Sequence, residues 1–188
     1  SPMNAIEDNE FTRGWKELVK DIPKPKAIVC ISAHWETRGT KVTAMQNPRM
    51  IYDMGGFPQK LYEVVYNAPG DPELAKNIIN SIQNPVIEED HKWGFDHGTW
   101  SVLTHAFPEA NIPLIQLSLD RTRDLNYHYN LGKQLSYLRK KGVLIVGSGN
   151  IVHNLPMIFQ TGDKPADWAL EFDHYIEKSI INQTHDKV

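Results

Sequence analysis

A single cysteine, Cys30, stands in a chain of 188 residues, so no disulfide can close within it. No run of about 18 apolar residues is present to cross a bilayer, and nothing at the start resembles a secretion signal. Charge is not blocked either: 23 acids face 20 bases for a formal net charge of −3, without a long stretch of one sign. That balance leaves no electrostatic footprint for nucleic acid or an anionic membrane and suits a small, nearly neutral partner. Repeats, low-complexity tracts and clear linkers are absent as well. Together these absences predict a soluble chain in a reducing, cytoplasmic setting that binds neither nucleic acid nor membrane.

With 40% of its residues hydrophobic, a chain of this length can bury one substantial core, and a single domain over residues 1–188 is the default expectation. Three runs read as buried strands, Ala27 to Ser32, Ile112 to Leu119 and Gly142 to Val146, each rich in Ile, Val and Leu and bounded by turn residues. Lys41 to Met45 is a candidate fourth. Helical patterns lie between them. Phe11, Trp15, Leu18 and Val19 share one helical face ahead of Pro23 and Pro25. Asp71 and Pro72 form an N-cap and first-turn pair before Leu74, Ile78, Ile79 and Ile82. Leu131, Leu135 and Leu138 mark a helix with Arg139, Lys140 and Lys141 in its last turn and Gly142 as its stop. Trp168, Phe172, Ile176 and Ile180 give a late helix. Strands alternating with helices predict an α/β fold, three layers around a central, mostly parallel sheet flanked by helices.

Two segments break that rhythm. Residues 47–70, dense in Gly, Pro and aromatics, and HKWGFDHGTW at 91–100 read as long loops, and long aromatic loops in a compact domain are usually functional or packed as lids.

Eight histidines and five tryptophans are the unusual entries in the composition. Ligands of open α/β sheets bind beyond the carboxyl ends of the strands, and two histidines fall there. His34 follows the first strand directly. His153 follows VLIVGSGNIVHNL, in which Gly147 and Gly149 give permissive backbone after a strand. His97 lies in GFDHGTW. Each also has a plainer reading as a core or cap residue bonded to a carbonyl. Asp96 either orients the neighbouring imidazole or caps a helix that starts near Thr99. The other five histidines read as surface or packing residues, and Cys30 as a buried small hydrophobe. The glycines of residues 147–149 lack the lysine and spacing of a phosphate loop, and neither Ser32 nor Ser148 sits in a G-x-S-x-G elbow.

Taken in order, SPMN at 1–4, SAHW at 32–35, YDMGGFP at 52–58, LYEVVYNAPGDPELA at 61–75, GFDHGTW at 94–100, PLIQLSLD at 113–120 and GSGNIVHNL at 147–155 resemble the class III extradiol ring-cleaving dioxygenases. Within that family the likeness is to the aromatic-ring-opening group similar to DOPA 4,5-dioxygenase. The resemblance implies a mononuclear non-haem iron(II) site, with zinc a possible occupant. It implies that His34 is a metal ligand, that His153 is an acid/base residue close enough to the metal to be a ligand as well, and that His97 lines the substrate pocket. It also implies a ligand histidine in an H-G-S-P motif, whereas the sequence opens at Ser1 and Pro2, and a further ligand from a C-terminal segment after Val188. The expectation is therefore a catalytic domain lacking both extreme flanks. His34 and His153 alone would hold iron poorly, because such sites use about three protein ligands.

The activity implied is opening of a catechol-type ring beside its diol with O2. His153 would move the proton, His97 would hydrogen-bond substrate or oxygen, and Tyr52, Phe57 and Trp100 would wall a planar ring. Two other readings use the same residues: a binding or signalling protein that keeps the fold without oxygen chemistry, and a zinc hydrolase with a metal-bound water.

Overall fold

The structure, a computed structural model, describes residues 1–157 and 164–185. Its described elements are the strands β1 (Ala27–Ser32), β2 (Glu36–Thr37), β3 (Thr40–Thr43), β4 (Arg49–Met50), β5 (Ile87–Asp90), β6 (Gly94–Phe95), β7 (Leu114–Gln116), β8 (Leu119–Asp120) and β9 (Val143–Ser148), and the helices α1 (Glu10–Lys20), α2 (Pro72–Ser81), α3 (His97–Ala106), α4 (Leu125–Leu135) and α5 (Asp167–Ile181). The chain divides into two compact units, residues 1–148 and residues 149–188.

The first unit is a mixed α/β fold built on parallel strands. Its centre is β1, paired in parallel with β7 on one side and β9 on the other, in register Ile28 with Leu114 and Leu144. A separate parallel pair, β3–β5, is joined to the segment that follows β7 by an isolated antiparallel bridge between Val42 and Leu117. Two shorter parallel pairs are β2–β8 and β4–β6. The expected strand from 112 to 119 is accordingly broken in two. Leu117 gives its N–H to Cys30 O, while Ser118 turns to bond Lys41 and Thr37.

Alternation along β1 sends successive side chains to opposite faces and so founds two cores. Ala27 and Val29 pack with Ala75, Ile78, Leu131, Leu135 and Leu138 from α2, α4 and the 3-10 turns that follow α4. Ile28 and Cys30 pack on the other face with Trp100 and Leu103 of α3, with Phe95, and with Leu61 and Tyr66 from the loop after β4. The caps are those the residues dictate. Asp71 Oδ1 accepts the Leu74 N–H at 2.9 Å. Gly142 closes the α4 region at φ +80°, a left-handed conformation that glycine adopts without steric cost.

α1 departs from its expected burial. A capping box joins Asn9 and Thr12, and only Thr12 is buried, while Phe11 and Leu18 are exposed and Trp15 and Val19 half-buried. The apolar stripe faces an open groove of about 240 Å³ bordered by α3 and β9. Among the described residues β9 has β1 as its one strand neighbour, and its Leu144, Ile145 and Val146 are half-buried rather than enclosed.

In the second unit, α5 buries Ile176 and Ser179 and exposes Trp168, Phe172 and Ile180. His153 is exposed there and lines a shallow cavity of about 230 Å³ with Ile151, Asn154, Trp168 and Phe172.

Candidate metal centre

The chain leaves β1 at Ser32 and turns at once. Ser32 Oγ accepts the His34 N–H at 3.2 Å, and Ala33 gives its N–H to Ser148 O at the end of β9. Trp35 is then buried and stacked on Trp93, rings 5.7 Å apart and nearly coplanar in orientation at 3°. Between these two fixed residues His34 stands exposed at the carboxyl end of the strand. That is the position expected of a ligand-facing residue in a parallel sheet.

α3 begins at His97, two residues before the start expected from sequence. Asp96 is its N-cap, with Oδ1 accepting the Thr99 N–H at 3.1 Å. Of the two roles open to Asp96, the capping one is therefore realised. The carboxylate that meets the His97 ring belongs instead to Asp53. Its Oδ1 accepts the His97 backbone N–H at 2.9 Å and lies 3.0 Å from ring Nδ1. The ring contact has the length of an ion pair but not the alignment of a hydrogen bond, so Nδ1 is a buried nitrogen with no well-formed partner among the described residues.

Asp53 reaches this point because the segment after β4 is tied down on both sides. Ile51 gives its N–H to Phe95 O and takes the Trp100 indole N–H on its own carbonyl at 3.0 Å. Tyr52 donates its hydroxyl to Val64 O at 2.6 Å. Burial alone would raise the Asp53 carboxyl, but the facing His97 ring, the His97 N–H and the ring's charge outweigh it and hold the group below the usual carboxylate value.

The His34 and His97 rings lie 3.9 Å apart, centroid to centroid, and the donor atoms of His34, Asp53 and His97 all fall within 4.8 Å of one another. Gly98 permits this approach. A Cβ there would collide with Ser32 Oγ and stand 3.0 Å from His34 Cδ2 and 3.2 Å from Asp96 Oδ1.

The profile of a family described as the catalytic LigB subunit of aromatic ring-opening dioxygenase matches residues 3–188. The chain belongs to this family. Among its relatives, the 4,5-DOPA dioxygenase extradiol of Escherichia coli is 47% identical over 185 residues, covering 97% of this chain and 68% of the relative. The protein of the same name from Beta vulgaris is 40% identical over 195 residues, covering 100% of this chain and 72% of the relative. A crystal structure of an uncharacterised Escherichia coli K12 protein superposes with a TM-score of 0.80 at 41% identity, over 95% of this chain and 69% of that one.

The metal implied by the family resemblance can be tested against the residues present. Two imidazoles and one carboxylate are a donor set suited to a divalent first-row ion, and their mutual distances let one ion reach all three. The poorly satisfied Nδ1 of His97 is the kind of buried atom that a ligand or a proton would complete. The residues fit a metal.

Of the sequence-derived candidates, the structure brings His34 and His97 together. Tyr52 is at the rim, its ring tilted towards Trp100 at 5.6 Å between centroids. Phe57 is half-buried, with its N–H 3.4 Å from the Tyr62 hydroxyl. Trp100 is wholly enclosed, its ring edge-on to His97 at 6.5 Å. His153 lies in the second unit. Among the remaining histidines, His105 and His128 bond the Asn4 and Asp120 carbonyls, and His91 pairs with Glu89 on the surface. Cys30 is enclosed, and burial pushes its thiol up to about 12, so it is no nucleophile at neutral pH.

Asp53 is the residue that sequence reasoning missed. It stands inside YDMGGFP with no periodicity around it, and the available signal was an acid in an aromatic, glycine-rich loop of the kind that carries function.

No helix among the described residues is long and apolar enough to cross a membrane.

Proposed function

We propose that this chain opens the ring of a catechol-type, DOPA-like substrate with O2, using iron(II) held at the His34 end of β1. The observation that carries the reading is the convergence of His34, Asp53 and His97 at one point, in a member of a ring-opening dioxygenase family. His34 is the metal ligand of this proposal, with Asp53 a further donor within reach and His97 beside them as the residue that handles the proton. His153, from its motif, would be a further ligand and acid/base residue. Iron(II) bound there would supply the one-electron chemistry that lets a catechol react with dioxygen, which zinc does not provide.

The chain's own residues would do the rest. Asp53 accepts the His97 backbone N–H, and its Oδ1 lies 3.0 Å from ring Nδ1, which fixes where the imidazole stands beside His34. An imidazole so oriented can take a proton from a catechol hydroxyl, and His153 is assigned its return. Tyr52 and Phe57 would flank the ring, and Trp100 would support His97 from behind rather than touch substrate, because it is enclosed.

The test is direct. Protein loaded anaerobically with iron(II) and then given L-DOPA in aerated buffer is expected to consume one O2 per substrate and form a yellow ring-opened product, while zinc-loaded protein stays inactive. Iron-loaded protein that consumes no O2 with L-DOPA or other catechols would overturn the reading.

The donor distances favour one other arrangement, in which His97 holds the ion itself. His97→Gln that retains iron but loses turnover assigns it to proton transfer. His97→Gln that loses iron assigns it to the metal.

A further inference from the structure

Gln116 is an anomaly in its strand. It ends β7 within the run PLIQLS, and it is completely buried. Burying a primary amide costs several kcal/mol, of order 2–7, unless its donors and acceptor are used. Here they are used on one residue. Gln116 Oε1 accepts the Asp96 backbone N–H at 3.0 Å, and Gln116 Nε2 donates to Asp96 Oδ2 at 2.9 Å. Asp96 is itself fully buried, and its other oxygen caps the first turn of α3. The Gln116 backbone is anchored in turn, its N–H given to Thr43 Oγ1 at 2.9 Å.

Two parallel hydrogen bonds to one residue fix both its backbone and its side chain, much as a bidentate pair fixes orientation better than a single contact. The residue so fixed directly precedes His97. Its position sets where the His97 N–H and ring meet Asp53 and where Gly98 closes on Ser32 and His34. Glutamine is the side chain that fits this task, since it offers an acceptor and a donor side by side. Glutamate would set an oxygen against Asp96 Oδ2, and methionine would strand the Asp96 backbone N–H and leave Oδ2 only the longer contact from the Trp93 indole N–H, at 3.4 Å.

We propose that Gln116, acting through Asp96, is a positioning residue for His97: a two-point clamp from the sheet that holds the first turn of α3 in the register the site needs. The inference rests on the role given to His97 above and adds to it a residue that touches neither metal nor substrate.

The clamp can be broken and remade by exchanging its polarity. Gln116→Glu opposes two carboxylates and Asp96→Asn opposes two amides. The double variant Asp96→Asn/Gln116→Glu restores the donor–acceptor match between positions 96 and 116, with the introduced amide donating to the introduced carboxylate while still capping Thr99, and gives up only the longer 3.4 Å contact from the Trp93 indole N–H. Hydrogen exchange of metal-free protein reads the clamp without any activity. Each single variant is expected to speed exchange of the His97 amide about tenfold or more, the scale of one lost hydrogen bond, while Ile28 to Cys30 in β1 stay protected. In iron-loaded protein each single variant should lower kcat for L-DOPA about tenfold or more with KM changed less than about threefold, since misplacement of a reacting group acts on the rate. The double variant should recover both readouts.

A double variant no better than the singles in His97 exchange overturns the clamp, as does a folded Gln116→Glu chain with exchange and kcat both at wild-type values. If Gln116→Glu does not fold, Asp96→Asn alone against the double variant gives the same comparison. Wild-type protein that opens no ring would sink the functional reading, and the exchange rates of the metal-free variants would still decide the clamp on their own.

Discussion

Two histidine–carboxylate pairs in this chain have nearly the same separation. His91 Nε2 lies 2.9 Å from Glu89, and His97 Nδ1 lies 3.0 Å from Asp53. The first pair is 59% and 37% exposed at its side chains, the second 11% and 18%. Distance therefore does not distinguish them, but support does. His91 and Glu89 meet at the surface around the end of β5, where water screens the pair and either side chain can turn away. His97 is held by its own backbone on the same Asp53 oxygen, by the Asp96 cap, by the Gln116 clamp and by Gly98 against His34. A site is made by the groups that remove alternatives for its side chains, not by the contact alone.

The comparison can be broken most severely at Gly98. Gly98→Val would drive a branched side chain into Ser32 Oγ and towards His34 Cδ2. Ring opening is expected to fall by about 100-fold or more, the scale of a misplacement near 1 Å, and iron binding should weaken with it. Oxygen uptake with L-DOPA and metal content after desalting measure both.

Asp53→Asn keeps the shape and removes the charge that faces Nδ1. A fall in kcat of about 100-fold is expected, within the range for a disabled proton-transfer group, with the thermal midpoint little changed. A kcat within twofold of wild type would place Asp53 among the surface-like pairs.

Asp120 gives a structural counterpart, a buried carboxylate away from the His34 cluster. Burial would raise it, yet the Thr122 hydroxyl and N–H, the Gly39 N–H and the charge of Arg123 bring it below the usual carboxylate value. A lowered folded-state value means that its stabilising contribution is complete above the unfolded value, about pH 4, and is lost as pH falls through the folded one. Thermal unfolding between pH 5 and pH 2 should therefore show stability falling on the acid side, and falling less in Asp120→Asn.

The smallest effect belongs to the exposed pair. His91→Ala should alter kcat less than twofold and the thermal midpoint by no more than about 1 °C, as for most surface pairs.

How much of this could be read from the residues follows from the range of the forces involved. β1 was legible because it is a continuous apolar run buried on both faces, and α2 because Asp71 and Pro72 act locally on the first turn. His34 was legible for a related reason: it is the residue that a parallel strand delivers to its carboxyl end. The partners of His34 were less so. Asp53 and Gln116 lie 44 residues before His97 and 20 residues after Asp96, and no local pattern announces either contact. The stripe on α1 shows the converse, a correct period whose burial depends on what the groove beside it receives.

His34, with Asp53 and His97 beside it, is the place proposed above to hold iron. Anaerobic calorimetric titration of iron(II) into wild-type protein and into His34→Ala tests it most directly. One equivalent is expected to bind the wild type, with an affinity weaker by about 10- to 100-fold or more in His34→Ala, the loss seen when a metal site is disrupted. Equal stoichiometry and affinity in the two proteins would contradict it.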